Sequence, residues 1–287
     1  MDRGVKDNRS LGPDARQRLP APPALFVIDV DGTLLNSSHG VGAATAVEVR
    51  RVGDRGIPVL LASSRGPRAM RPILLQLGLV EPAVFVGSQG AFTGSYDSDG
   101  VLQVLDQRPA PLAATRHVVT AATGAGLAVS WYQADRWLVS HLDPTIEREA
   151  LIVGDAPVVH DLLDENTGPD KLMIIANDRR DLDVLQELAS SMPDELMAQV
   201  SNPTYLEITG RGVDKASAVR RHCEHHGIEP ASVVAIGDGP NDLGLFAYAG
   251  TSVAPINARA EVLAAADWHT RSNDDDGVAW ALAVFTP

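Results

Sequence analysis

One cysteine, Cys223, serves the whole 287-residue chain, so no intrachain disulfide can form and the fold must rest on its core. Aromatic residues make up 5% of the chain, and no apolar stretch approaches the ~20 residues that cross a bilayer. The amino terminus is rich in Pro, Arg and Asp and has no hydrophobic signal core. These absences predict a soluble, cytoplasmic protein with no membrane partner. Positive charge is scarce too: 24 Lys and Arg face 37 Asp and Glu, for a net charge of −13. A body this acidic repels a nucleic-acid backbone unless it carries a strong basic patch, and none stands out, so nucleic acid is excluded as a partner. Internal repeats and low-complexity runs are missing as well.

What is present suits one large domain or two smaller ones. Residues 1–23, with five basic and three acidic residues and no apolar periodicity, predict a disordered tail, a basic recognition arm being the alternative. From Ala24 strands and helices alternate. The apolar run Leu25-Phe-Val-Ile28 reads as a strand, about 41–55 as a helix ending at Gly56, Ile57–Ala62 as a strand, about Pro67–Leu77 as a helix closed by Gly78, and Ala83–Val86 as a strand. This order predicts a parallel α/β sheet. The pattern then changes. Asp97–Gly100 is a turn, 127–132 and 136–141 flank Gln133-Ala134-Asp135 as an antiparallel hairpin, Lys171–Ala176 is a strand, and about Arg180–Ser190 is a helix. Near Thr204 the α/β alternation resumes, with a helix from Asp214 to His226, a strand Ser232–Ile236, and short elements to the end. The expected boundaries are a core of 24–105 and 205–287 with an inserted unit of 106–204.

The chemistry concentrates at strand ends. Asp29 and Asp31 follow the first strand, Ser63-Ser64-Arg65 the second, and Gly237-Asp238-Gly-Pro-Asn241-Asp242 the strand at Ser232–Ile236. In open parallel sheets ligands bind at the carboxyl ends of strands, so these groups can converge. Any one of them read alone is a helix cap or turn former; their recurrence at three strand ends points to a site. Two aspartates ending a buried strand also require a cation, a proton or hydrogen-bond donors.

Asp29-Val-Asp31-Gly32-Thr33-Leu, Leu60-Leu-Ala-Ser63, Lys215 and Gly237-Asp238-Gly-Pro-Asn241-Asp242 resemble the four ordered motifs of the haloacid dehalogenase (HAD) superfamily of phosphohydrolases. Within it the chain is most similar to the Cof-type phosphatases, whose Tyr-Leu-Glu-Ile stretch and late Asn-Asp run it shares at Tyr205–Ile208 and from Asn273. The resemblance implies an α/β fold with a Rossmann-like parallel-sheet core and an inserted α+β cap domain. It implies a phosphoric monoester hydrolase with Asp29 as nucleophile and Asp31 as the acid and then the base. An isolated Asp has a pKa near ~3.9, so neighbouring carboxylates must raise that of Asp31. The resemblance assigns metal binding to Asp29, the carbonyl of Asp31, Asp238 and Asp242. Ser63 would bond a phosphoryl oxygen, Lys215 would offset charge, and Gly32, Ser64, Arg65 and Asn241 would meet or orient the substrate. Like charges ~4 Å apart cost ~4 kcal/mol per pair at an effective dielectric of 20, so these carboxylates exclude a phosphate without a divalent cation. Mg²⁺ is the predicted cofactor.

The expected substrate is a small phosphorylated metabolite, a sugar phosphate among the candidates, and the expected state is a monomer or weak homodimer. The alternatives are a phosphomutase or phosphotransferase using the same intermediate, and a non-catalytic phospholigand-binding protein. Three positions depart from the family pattern. Ser63-Ser64-Arg65 replaces Thr-Gly-Arg, Gln89-Gly90 replaces Asn-Gly, and no Met-Gly precedes Asn257, which is given no role. Other features carry two readings. His222, His225 and His226 are a zinc set or the cationic end of a helix; Asp274–Asp276 are a cation site or a helix-capping loop; Trp131, Tyr132 and Trp137 are a stacking surface or cap core.

Overall fold

A computed structural model describes residues 9–79, 83–199 and 203–286. In chain order its first elements are β1 (Leu25–Asp29), α1 (Ala43–Asp54), β2 (Val59–Ala62), α2 (Pro67–Leu77), β3 (Phe85–Gly87), β4 (Phe92–Tyr96) and β5 (Leu102–Gln107). Next come α3 (Leu112–Gly124), β6 (Val129–Gln133), β7 (Arg136–Val139), α4 (Pro144–Val153), β8 (Val158–Val159), β9 (Lys171–Ile175), α5 (Arg179–Ser190), β10 (Leu196–Gln199) and β11 (Tyr205–Gly210). The chain closes with α6 (Lys215–His226), β12 (Val233–Ile236), α7 (Leu243–Tyr248), β13 (Thr251–Pro255), α8 (Ala260–Ala265), β14 (Trp268–Thr270) and α9 (Gly277–Phe285). Two compact units result. One holds the chain up to Leu61, Gln76–Gly78 and everything from His222; the other holds Ala62–Leu75 and Leu79–Arg221.

In the first unit the strand order is β14-β13-β12-β1-β2, and β1, β12, β13 and β14 run parallel. Every residue of β1, β12 and β13 is buried, as expected of strands covered on both faces. Helix α9 is apolar nearly all round and correspondingly buried, with Val278, Leu282 and Phe285 inside. The Arg55 guanidinium donates to the Thr286 carbonyl just beyond its end, at 2.8 Å.

The amino-terminal segment corrects the expectation of a disordered tail over 1–23; its first eight residues lie outside the described ones. From Arg9 the chain packs on the first unit. Ser10 bridges His269 in parallel, Leu11 N–H donates to the His269 carbonyl at 2.8 Å, and His269 N–H donates to the Arg9 carbonyl at 2.7 Å. A short 3₁₀ turn at Pro13–Arg18 buries Ala15, while Leu11 is 7% exposed. Trp280 Nε1 donates to the Leu11 carbonyl at 3.1 Å, and the Arg18 guanidinium lies 4.7 Å from the Trp268 ring centre. The physical reason is the backbone edge of β14, which gives even a polar segment hydrogen-bond partners once two apolar side chains anchor it. Two apolar anchors are too few to produce a periodicity.

In the second unit β3, β4 and β5 form an antiparallel meander. A six-stranded sheet has the order β10-β11-β9-β6-β7-β8, antiparallel except at β7 and β8. Alternation divides its side chains. Trp131, Leu138, Leu172, Ile174, Leu206 and Ile208 face a core shared with α3 and α5. Tyr132, Trp137, Met173 and Ile175 face the other way, with Ile146 of α4. Of the two readings of the aromatics, core packing is what the fold shows: Trp131 is fully buried, and Tyr132 stacks on Trp137 with ring centres 5.4 Å apart. Strand β11, read from sequence as the start of the returning core, is an interior strand of this sheet, because its alternating Leu206 and Ile208 complete the apolar face between β9 and β10.

Candidate active site

Strand β1 delivers Asp29 in extended conformation, and Asp31 (φ −82°, ψ 121°) follows before the chain reverses at Gly32. Gly32 has φ +80°, and a Cβ there would stand 2.5 Å from Oδ2 of Asp238, so both backbone and space require glycine. Strand β12 delivers Asp238 through Gly237 in the same way. The Thr33 hydroxyl donates to Asp238 Oδ1 at 2.9 Å. Asp242 is fully buried, and its Oδ2 accepts from the backbone N–H groups of Asp238 and Gly239 at 3.1 and 3.0 Å. Those bonds fix the turn after β12 and aim both carboxylates.

Carboxylate oxygens of Asp29, Asp238 and Asp242 all lie within 4.8 Å of one another, and Asp29 is 5% exposed. At that distance an ionised pair repels by roughly 3 kcal/mol or more at an effective dielectric of 20. Three hard oxygen donors so placed fit a small divalent cation. Asp31 has an exposed side chain and stands outside the trio, while Asn241, half-buried, lies in the 3₁₀ turn Pro240–Asp242.

Sequence reasoning passed over Asn257 and gave Asn273 no site role of its own. The Asn257 amide donates to the Gly32 carbonyl at 2.8 Å, and Asn273 donates from its N–H to Asn257 Oδ1 at 2.9 Å and from Nδ2 to the Leu35 carbonyl at 2.9 Å. This relay braces the turn that carries Asp31. Its one sequence signal was the Asn-Asp run near the end of the chain.

The second unit holds the other expected groups. Ser63 is 1% exposed at the tip of β2, and its Oγ accepts from the Arg65 N–H at 3.1 Å. Arg65 is 9% exposed. The Ser64 carbonyl accepts from Lys171 Nζ at 2.7 Å. Lys215 opens α6 and is 1% exposed. Asp214 caps that helix: its Oδ1 accepts from the Ser217 N–H at 2.7 Å, and its own N–H donates to Ser217 Oγ at 3.0 Å. A lysine buried in the first turn of a helix sits where the dipole disfavours a cation, so local anionic or acceptor groups must hold it. Gln89 is fully buried, and its amide donates to a Glu207 carboxylate oxygen, a partner absent from the sequence reading.

The Asp274–Asp276 run and the histidines of α6 have side-chain neighbours of their own. Asp274 accepts from the Ser37 N–H and hydroxyl at 2.7 and 2.6 Å, bonds that hold its carboxyl below the ordinary range. Asp276 accepts from Thr45 Oγ1 at 3.2 Å. The ring centres of His222 and His226 are 4.5 Å apart, and burial, then His226 and His225, push the His222 pKa down to about 4. Among the described residues, Asp29, Asp238 and Asp242 are the group of three or more metal-capable side chains with ligand atoms this close.

Residues 26–282 match the family model for haloacid dehalogenase-like hydrolases, and the chain belongs to that family, which uses a divalent metal. It is a phosphatase by that membership and by its relatives. It is 25% identical to 5-amino-6-(5-phospho-D-ribitylamino)uracil phosphatase YcsE of Bacillus subtilis, over 93% of this chain and 97% of that one. A haloacid dehalogenase-like hydrolase from Bacteroides thetaiotaomicron superposes with a TM-score of 0.80 at 28% identity, covering 91% of this chain and 98% of its own. BT1666, a HAD-superfamily phosphatase from the same organism, superposes with a TM-score of 0.74 at 26% identity, over 92% and 95% of the two chains. The α/β fold with a parallel-strand sheet core is the one expected from sequence. Among the described residues no helix is long and apolar enough to cross a membrane.

Proposed function

We propose that the protein is a Mg²⁺-dependent, cytoplasmic phosphatase that hydrolyses a small phosphorylated metabolite through a phosphoryl group carried on Asp29. The observation that carries this reading is the trio of carboxylates at the ends of β1 and β12. An Asp29 oxygen attacks phosphorus, the ester P–O bond breaks, and the leaving oxygen takes the proton of Asp31. A water molecule then gives a proton to Asp31 and attacks phosphorus, and the bond to Asp29 breaks to release inorganic phosphate. Asp29, the Asp31 carbonyl, Asp238 and Asp242 would hold Mg²⁺, which when bound supplies charge compensation for the phosphoryl oxygens. Asn257, through the Gly32 carbonyl, keeps the turn bearing Asp31 in place.

The family motifs assign Ser63 and Lys215 to the same reaction. Ser63 has its Oγ lone pair engaged by the Arg65 N–H, so the proton it offers a phosphoryl oxygen is its own. Lys215 offsets charge in the transition state, while Gly32, Ser64, Arg65 and Asn241 meet or orient the substrate. The inserted unit, its sheet completed by β11, acts as the cap that selects the leaving group, and the enzyme works as a monomer or weak homodimer. A phosphorylated small molecule agrees with the net charge of −13, which disfavours polyanions, and with a relative named for a ribityl phosphate.

The test is phosphate release from a panel of phosphorylated metabolites and p-nitrophenyl phosphate, with Mg²⁺ and with chelator, ranked by kcat/KM. Wild type turns over only with the metal, and Asp29→Asn forms no phosphoenzyme. Absence of release from every member, the aryl phosphate included, contradicts the proposal.

A further inference from the structure

The reaction makes no use of two charged side chains buried in the second unit. Lys171 on β9 is 3% exposed and Glu207 on β11 is 2% exposed. The antiparallel register sets Glu207 opposite Met173, which puts Lys171 two residues further along on the same face. Lys171 Nζ lies 3.3 Å from Glu207 Oε1, and 4.8 Å from the centre of the Tyr132 ring. The other Glu207 oxygen accepts from the Gln89 amide. A buried pair of this kind is weak evidence of stabilisation for its own sake. What it grips is more informative.

Two routes lead from the pair to Ser63-Ser64-Arg65. Directly, Lys171 Nζ donates to the Ser64 carbonyl at 2.7 Å. Through Gln89, the turn after β3 supplies two backbone donors: Gln89 N–H to the Ser63 carbonyl at 3.1 Å, and Ser88 N–H to the Arg65 carbonyl at 2.8 Å. That turn is strained, with Ser88 at φ +49° and Gln89 at φ +57°, and among the described residues the buried Ser88 hydroxyl has no hydrogen-bond partner. Non-glycine residues keep such angles only where the surroundings impose them, and the Gln89 bond to Glu207 is one such constraint. Three consecutive carbonyls are thus each engaged by a donor. A carbonyl oxygen aimed at a phosphoryl group repels it; one held by a donor is fixed away from that role.

We infer that Lys171 is a positioning residue for phosphate binding. With Glu207 and Gln89 it clamps the carbonyls of residues 63–65, so that the Ser63 hydroxyl meets the phosphoryl oxygens. The inference rests on the reading of this loop as the phosphoryl-binding one.

The experiment measures inhibition by inorganic phosphate of p-nitrophenyl phosphate hydrolysis by the full chain with Mg²⁺, together with Tm. Lys171→Met is expected to raise Ki for phosphate and KM on the order of tenfold, with a smaller change in kcat, and Lys171→Arg to recover most of that loss. Lys171→Met also strands the Glu207 carboxylate, so the decisive variant is the double change Lys171→Met with Glu207→Gln, which removes both charges and keeps an acceptor for the Gln89 amide. It is expected to regain Tm while Ki stays raised. A double variant with both Tm and Ki at wild-type values overturns the inference. Ser63→Ala separates the two layers. If it leaves Ki unchanged, the loop reading fails and the inference with it; if it raises Ki while the Lys171 variants do not, the inference alone fails.

Discussion

The two units bury charge in opposite ways. The first gathers three carboxylates within 4.8 Å and supplies them with neutral donors, the Thr33 hydroxyl and backbone N–H groups. The second buries Lys171 against Glu207, shares that carboxylate with Gln89, and gives the lysine a carbonyl acceptor. One arrangement converges like charges into a set of oxygen donors that fits a divalent cation; the other pairs opposite charges and acts on the backbone around it. Converging carboxylates mark where a cation fits, and a buried pair of opposite charges marks where geometry is held.

Mutations break this contrast in graded steps. Asp29→Asn should lower kcat on the order of 10⁴-fold, measured as phosphate release, because it removes the proposed nucleophile and leaves only binding and electrostatic effects. Lys171→Met should lower stability by about 3–5 kcal/mol by stranding a buried carboxylate, read as the denaturant midpoint. The first change should leave the denaturant midpoint near that of wild type, and the second should lower it while the variant still folds. Leu11→Ala should cost about 2–3 kcal/mol by chemical denaturation, the range for a buried leucine near the surface, and would show that the amino-terminal segment belongs to the first unit.

A smaller effect tests whether the second unit balances every buried charge. Asp170 is fully buried and accepts from Ala134 N–H at 2.6 Å and Gln107 Nε2 at 2.9 Å, yet burial pushes its pKa from 3.8 up to about 6. A folded-state pKa above the unfolded one means the native state binds the proton more tightly. Its contribution favours folding below pH 4 and is lost as the pH rises through about 6, by at most about 2–3 kcal/mol. Asp170→Asn should flatten stability against pH in that window. An unchanged slope would mean that the neutral donors already balance this carboxylate.

Legibility from sequence followed locality. Helix α2 was read to its ends because Pro67 and Gly78 bracket it, and the aspartates at β1 and β12 were read because each follows a short apolar run through a glycine. Strand β11 lies between β9 and β10 in a sheet its local pattern does not announce, because membership of a sheet depends on pairing. Lys171 and Glu207 are 36 residues apart, and their shared face exists only once the register is set. Gln89 read as a departure from a family position; its partner became visible only in three dimensions. The Asn257 relay was hidden for the same reason: its acceptor, the Gly32 carbonyl, lies 225 residues away.

The most direct test of the contrast is a Mg²⁺ titration followed by melting temperature, on wild type and Asp238→Asn, starting in chelator. Wild type should gain about 2.7 kcal/mol at one hundred times Kd. Asp238→Asn should gain little over the same range. An equal gain in both proteins would contradict the assignment of the cation to Asp29, Asp238 and Asp242.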